Sequence, residues 1–208
     1  MPLSWPPLYS ILDPEQTQGR SPEVVLRELL AAGVAMLQLR VKNLAASDFF
    51  ELARLARAET RSRGCKLIVN DRVDIALACD ADGVHLGQED LPLGVGRKLM
   101  IGKIVGISTH DIDQAREAEK NGADYIGFGP VFETATKATG YSARGVDMLR
   151  EIRAAVKIPI VAIGGITEQN VQQVWRAGAD SAAIISDILS AGDIAAKTRR
   201  ILSAAPVR

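Results

Sequence analysis

Apolar residues along this chain gather into short dense runs, and between the runs they return every three or four positions. A run that is apolar at successive positions suits a parallel strand covered on both faces, whereas the longer spacing lays apolar side chains along one face of a helix. The pattern predicts strands at residues 8–12 (LYSIL), 35–40 (AMLQLR), 67–70 (LIVN), 83–86 (GVHL), 104–108 (IVGIS), 124–129 (DYIGFG), 158–165 (IPIVAIGG) and 181–186 (SAAIIS). Helices fill the intervals. Ser21 reads as the N-cap of the first, with Pro22 and Glu23 in its opening turn and Gly33 at its end. Ser47 or Asp48 caps the second, whose Phe49, Leu52, Ala53 and Ala56 share a face and which stops at Gly64. One short helix covers residues 71–79 and another lies within 93–100. Asp111 and Gln114 have the spacing of a capping box for a helix that reaches Lys120. The remaining helices are 147–156, a segment capped by Thr167 that runs to Ala177, and 193–204.

A faint internal repeat supports this division. A helix end, a glycine and an apolar strand recur at AAGVAMLQL, DADGVHL, NGADYIGF and AGADSAAII. Eight strands alternating with helices in 208 residues predict a single-domain (β/α)8 barrel occupying 1–208, near the lower size limit of that fold. An open doubly wound sheet fits less well, because no GxGxxG follows the first strand and such sheets have fewer strands at this length.

Composition narrows the function. Lys and Arg number 25 and Asp and Glu 25, which leaves no net basic charge for a nucleic-acid footprint. No apolar run approaches the ~20 residues of a membrane span, and the opening MPLSWPPLYSILD has neither the basic region nor the apolar stretch of a signal peptide. A cytoplasmic protein is expected. Cys65 and Cys79 match no metal or disulfide spacing and read as small core residues.

In a barrel of this kind the chemistry belongs at the C-terminal ends of the strands. Those ends carry Gln38, Arg40 and Lys42; Asn70 and Asp71; Gln88, Glu89 and Asp90; Ser108, Thr109 and His110; then the stretch GPVFETATK with Thr134, Thr136 and Lys137; Gly164 and Gly165; and Ser186. One polar strand end is ordinary, but six or more in succession imply a site. Arg40, Lys42 and Lys137 with the neutral donor Asn70 suit a diphosphate. Asp71 and Asp90 offer hard oxygens for Mg²⁺, although Asp71 also reads as a helix cap. Gly165 and Ser186 stand where such barrels bind a phosphate on backbone N–H groups. A diphosphate site beside a phosphate site suggests two phosphorylated substrates meeting at one mouth. His85, inside the fourth strand, reads as a satisfied core histidine. His110 lies nearer the rim, and no Ser-His-Asp or Cys-His arrangement is evident.

The ordered set QLRVK (38–42), NDR (70–72), GVHLGQEDLP (83–92), GISTH (106–110), GPVFETATK (129–137), AIGGI (162–166) and IIS (184–186) resembles the thiamine phosphate synthase family over nearly the whole chain. One departure is Val41, where that family often has Glu. The resemblance implies a (β/α)8 transferase that joins a hydroxymethylpyrimidine diphosphate to a plain or carboxylated thiazole phosphate and releases pyrophosphate. It implies that Gln38, Leu39, Arg40, Val41, Lys42, Asn70, Ser108 and Lys137 bind the pyrimidine diphosphate, with Lys137, Arg40, Lys42 and Ser108 catalytic. Asp71 and Asp90 would hold Mg²⁺, and Thr134, Ala135, Thr136, Gly165, Ile185 and Ser186 the thiazole phosphate. The implied partners are small-molecule substrates, without nucleic acid or membrane, and a homo-oligomer is left open. A thiazole tautomerase relative, another phosphate-binding barrel enzyme and a non-catalytic sensor are the competing readings. The intact Arg40, Lys42, Asp71 and Asp90 set speaks against the first.

Overall fold

The structure, a computed structural model, describes residues 5–134 and 142–206. Its strands are β1 (Leu8–Leu12), β2 (Met36–Leu39), β3 (Lys66–Asn70), β4 (Gly83–Leu86), β5 (Ile104–Thr109), β6 (Tyr125–Phe128), β7 (Ile160–Ile163) and β8 (Ser181–Ile184). They close in sequence order into a parallel barrel, with β1 pairing both β2 and β8. Around it lie α1 (Pro22–Ala31), α2 (Ala46–Ser62), α3 (Val73–Ala78), α4 (Leu93–Leu99), α5 (Ile112–Lys120), α6 (Gly145–Ala155), α7 (Val171–Arg176), α8 (Ser186–Leu189) and α9 (Ile194–Ser203). Among the described residues no helix is long and apolar enough to cross a membrane.

The expected barrel is present, with local corrections. Helix α2 starts ahead of Ser47 and Asp48; Ala45 is its N-cap residue and supplies no side-chain cap. Thr167 does not cap α7: the helix begins at Val171, and the Asn170 side chain instead accepts the Thr167 N–H at 2.8 Å. Asp71 caps nothing, since α3 begins at Val73 behind Arg72. The Asp111 side chain accepts the Gln114 N–H as a capping box requires, but Gln114 reaches back to the His110 N–H rather than to that of Asp111. The single turn α8 was not anticipated, because SAAIIS reads as continuous strand.

Alternation along the strands sorts side chains into two cores. One set, including Leu8, Leu37, Leu39, Val69, Val84 and Phe128, packs outward against the helices. The other, Tyr9, Ile11, Met36, Ile68, Tyr125, Val161 and Ala183, fills the cylinder, with Trp5 stacked against Tyr125 at 4.7 Å between ring centroids. Cys65 and Cys79 are free and buried, as expected of core residues, and burial pushes the Cys65 thiol up to about 12.

The internal repeat has a structural cause. The aspartate that ends each DAD or GAD turn lies just before an even-numbered strand and accepts a backbone N–H of the preceding strand. Asp82 takes Leu67 N–H (2.9 Å), Asp124 takes Val105 N–H (2.7 Å) and Asp180 takes Ile160 N–H (2.9 Å). Each aspartate also holds an arginine from the helix that leads into that odd strand: Arg57 at 2.6 Å, Arg97 at 2.5 Å and Arg153 at 2.9 Å. In the first copy of the repeat Ala35 stands in the aspartate's place. These clamps sit at the N-terminal face, where barrels carry stability rather than chemistry. Asp82→Ala strips partners from the Leu67 N–H, Arg57 and Lys66. It is expected to lower unfolding free energy by about 1–3 kcal/mol in urea titrations.

Candidate active site

At the opposite end the inward-facing positions open into one pocket. Its floor is made by Tyr9, Ile11, Tyr125, Val161 and Ala183, and its wall by Gln38, Asn70, His85 and Ser108. Space there depends on two glycines. A Cβ on Gly106 would lie 2.1 Å from Tyr125 Cζ, and one on Gly127 would lie 3.0 Å from His85 Cε1. The Tyr125 ring and the His85 imidazole therefore lean over positions with no side chain. Buried polar groups in the wall satisfy one another: Gln38 Nε2 donates to Tyr9 Oη at 3.1 Å, and Tyr9 and Tyr125 Oη atoms are 2.8 Å apart. Tyr125 Oη lies 2.9 Å from His85 Nδ1, and His85 Nε2 lies 3.0 Å from Ser108 Oγ. Burial, foremost, lifts both tyrosine hydroxyls well above their ordinary pKa.

The structure brings Ser108 and His85 into contact. The pair is not a hydrolytic triad, because the far nitrogen of His85 faces a neutral phenol instead of a carboxylate. His85 is satisfied, as expected of a core histidine, yet it also lines the pocket. His110 lines the pocket too, with Nδ1 2.6 Å from the Gly129 carbonyl oxygen.

Charge enters at the rim. Arg40 lines the pocket and is ion-paired with Asp13, whose side chain is 2% exposed and also accepts the Glu15 N–H at 3.0 Å. Asp13 directly follows the apolar run of β1, and that polar strand end is the sign of it in the sequence. Lys42 Nζ lies 2.5 Å from Asp71 Oδ2. Asp71 has φ +62, a left-handed backbone unusual for a residue with a side chain, and its N–H donates to the His85 carbonyl at 2.8 Å. Asp90 accepts the Gly87 N–H at 2.6 Å. Burial and then the adjacent Asp71 carboxyl raise the Asp90 pKa above the usual carboxylate range. A carboxyl raised in this way by burial and by a second carboxyl beside it is a fit for a small divalent cation, which relieves that repulsion. Among the described residues, no group of three or more histidine, cysteine or acidic side chains forms a metal site.

The third part of the rim is backbone. Gly164 and Gly165 have φ +98 and +61 and lie against the loop that follows β6, where a Cβ on Gly165 would come within 2.3 Å of the Glu133 carbonyl oxygen. The Phe132 N–H donates to the Gly164 oxygen at 3.0 Å, tying the two loops. Thr134, Gly165, Ile185 and Ser186 all line the pocket, and Ser186 opens α8.

Of the residues expected in the site, Gln38, Arg40, Asn70, Ser108, Thr134, Gly165, Ile185 and Ser186 share this one pocket. Lys42, Asp71 and Asp90 form their own cluster at the ends of β2 to β4 and are not among its lining residues. Leu39 and Val41 belong to the outward core, so only their backbone is available to a ligand. Ala135, Thr136 and Lys137 lie outside the described residues. Tyr9, Tyr125 and Asp13 were missed; the first two read as ordinary apolar strand positions, and only strand parity marks them as inward.

A pocket walled by strand ends and rimmed by Arg40 and by glycine backbone defines the class: a (β/α)8-barrel enzyme working on small molecules. A family model described as thiamine monophosphate synthase matches residues 8–188. The chain belongs to the thiamine monophosphate synthase family, and its activity is that of a transferase making thiamine phosphate. It is 47% identical over 195 residues to the thiamine-phosphate synthase of Syntrophomonas wolfei and 49% identical over 195 residues to that of Moorella thermoacetica, covering 93% of this chain and 93% of each relative. The solved thiamine phosphate pyrophosphorylase of Pyrococcus furiosus superposes with a TM-score of 0.89 at 38% identity, covering 96% of both chains.

Gly165→Ala forces a Cβ into the Glu133 carbonyl at positive φ. We expect it to cost more than about 1 kcal/mol, read as a lower Tm in calorimetry.

Proposed function

We propose that the barrel transfers a hydroxymethylpyrimidine group from its diphosphate ester to the ring nitrogen of a thiazole phosphate. The observation that carries this reading is the meeting of Gln38, Arg40, Asn70, Ser108, Gly165 and Ser186 around one pocket. A neutral hydrogen-bonding wall suits the aminopyrimidine, and a cationic, N–H-rich rim suits its diphosphate and the second substrate's phosphate. Gln38, Asn70 and Ser108 grip the first substrate, with backbone help from Leu39 and Val41. Arg40, Lys42 and Lys137 meet its diphosphate. Thr134, Ala135, Thr136, Gly165, Ile185 and Ser186 take the thiazole phosphate. The whole is one domain acting in the cytoplasm.

The C–O bond to the diphosphate breaks first, and its electron pair leaves with the diphosphate oxygen. The electron-rich aminopyrimidine spreads the positive charge left on the exocyclic carbon until the thiazole nitrogen supplies the pair for the new C–N bond. No protein nucleophile takes part, which is why a serine–histidine pair without a carboxylate suffices. Arg40, already held by buried Asp13, contributes fixed positive charge that needs no reorganisation as negative charge develops. Asp71 and Asp90 are the residues that would hold Mg²⁺, as the proximity of their carboxyls suggests. Magnesium held there would supply positive charge that favours departure of a diphosphate.

Incubating both substrates with and without Mg²⁺ and measuring pyrophosphate tests the reaction; Mg²⁺-independent release, or binding of both without release, overturns it. Lys137→Ala is expected to lower kcat by about 10²–10³-fold with little change in thiazole phosphate binding, in steady-state assays. A carboxyl whose folded pKa lies above its unfolded value, as for Asp90, stabilises the cation-free fold at low pH and loses that contribution as pH rises through it. Mg²⁺ must displace that proton. Thermal melts should therefore show a Mg²⁺-induced rise in Tm at about pH 7.5 that disappears near about pH 4, and Asp90→Asn should diminish the rise at about pH 7.5.

A further inference from the structure

Five polar side chains from five strands cross the barrel in single file: Gln38 to Tyr9 (3.1 Å), Tyr9 to Tyr125 (2.8 Å), Tyr125 to His85 (2.9 Å) and His85 to Ser108 (3.0 Å). Their hydrogens are counted easily. Burial keeps both phenols neutral, so each carries one hydrogen, and a neutral imidazole and a serine hydroxyl each carry one as well. If Tyr9 accepts from Gln38 it must donate to Tyr125. Tyr125 then donates to His85 Nδ1, His85 Nε2–H donates to Ser108, and the Ser108 hydroxyl is left to donate into the pocket. If the Gln38 amide turns over and accepts, every link reverses and Ser108 shows the pocket a lone pair. A mixture of the two senses puts two hydrogens or two lone pairs face to face, which a buried site disfavours.

We propose that this file is a relay with one sense at a time, so that whether Gln38 donates to Tyr9 or accepts from it dictates whether Ser108 donates to the pocket or accepts from it. Tyr125 is its positioning residue, acting on Ser108 only through His85. A ligand that offers Ser108 an acceptor meets a Gln38 whose amide oxygen is left to accept a donor. An aminopyrimidine edge carries both kinds of group, its amine donating and its ring nitrogens accepting, whereas a ring with acceptors alone leaves the Gln38 oxygen or the Ser108 lone pair unmatched. The placement of the relay against that ring rests on the reaction proposed above; the relay itself rests only on the bonds just given.

The test is made on the ligand-free protein, so its failure leaves the pyrophosphate assay to judge the reaction separately. Gln38→Glu is recorded at about pH 9.5, above the 8–9 that full burial gives a glutamate, where the imidazole is also neutral. A carboxylate only accepts, so Tyr9 must donate to it and the file must reverse. ¹⁵N shifts of the ring nitrogens, resolved readily with only 2 histidines in the chain, should report His85 as Nε2–H in the parent and Nδ1–H in the variant. The change must vanish in Gln38→Glu/Tyr125→Phe and equally in Gln38→Glu/Tyr9→Phe, which breaks the neighbouring link and serves if the first double variant does not fold. An unaltered tautomer in Gln38→Glu, or a change that survives either phenylalanine, overturns the proposal. In turnover, Tyr125→Phe should raise KM for the pyrimidine diphosphate by about tenfold and leave KM for the thiazole phosphate unchanged; equal rises in both overturn it.

Discussion

The steric limit inside the closed cylinder governs the rest of this molecule. Eight short strands leave an interior that side chains nearly fill, so a large ring is admitted only where its neighbour contributes none. Tyr125 lies across Gly106 and His85 across Gly127, and a single methyl at either glycine would collide with or crowd the ring above it. The polar wall of the pocket exists because these two aromatic groups reach the axis. Their hydroxyl and nitrogen atoms then satisfy one another, as buried polar groups must.

Above that wall the electrostatics are set by residues that face away from any ligand as much as by those that face it. Asp13 is almost fully buried and fixes Arg40, so the cation is aimed before a substrate arrives. Asp71 accepts a strained backbone, ties its N–H to the His85 carbonyl and holds Lys42. The same residue thus links the carboxylate cluster to the strand that carries His85. Strain of this kind persists only where surrounding bonds over-determine it, as the His85 carbonyl and Lys42 do for Asp71.

Much of this was legible in the sequence, and the exceptions have physical causes. Strand order and most element limits followed from apolar runs, because a parallel strand covered on both faces has no polar alternation to blur it. Gln38, Arg40, Asn70, Ser108 and Gly165 stood out because polar or flexible residues directly after apolar runs are conspicuous. Tyr9 and Tyr125 did not, since an aromatic residue within an apolar run gives no sign of whether it points to the axis or to the helices; that depends on register fixed by closure. Asp13 was hidden for a related reason: its partner Arg40 is 27 residues away and meets it only when β1 and β2 pair. The second-turn details, such as the start of α7 at Val171, reflect a choice between competing side-chain caps that composition alone does not decide.

The aspartate clamps bear on how the cylinder assembles. Each joins positions close in the chain, 15 residues apart for Asp82 and Leu67, 19 for Asp124 and Val105, and 20 for Asp180 and Ile160. Closing the ring demands instead that Leu8 find Ala182. That join uses the Pro7 carbonyl, which accepts the Ala182 N–H and the Trp175 indole N–H. Short loops close at lower entropic cost than long ones, so three strand pairs are set to form as local units while the union of first and last strands comes late. The pocket, which draws on every strand, is therefore the last thing the folding chain completes.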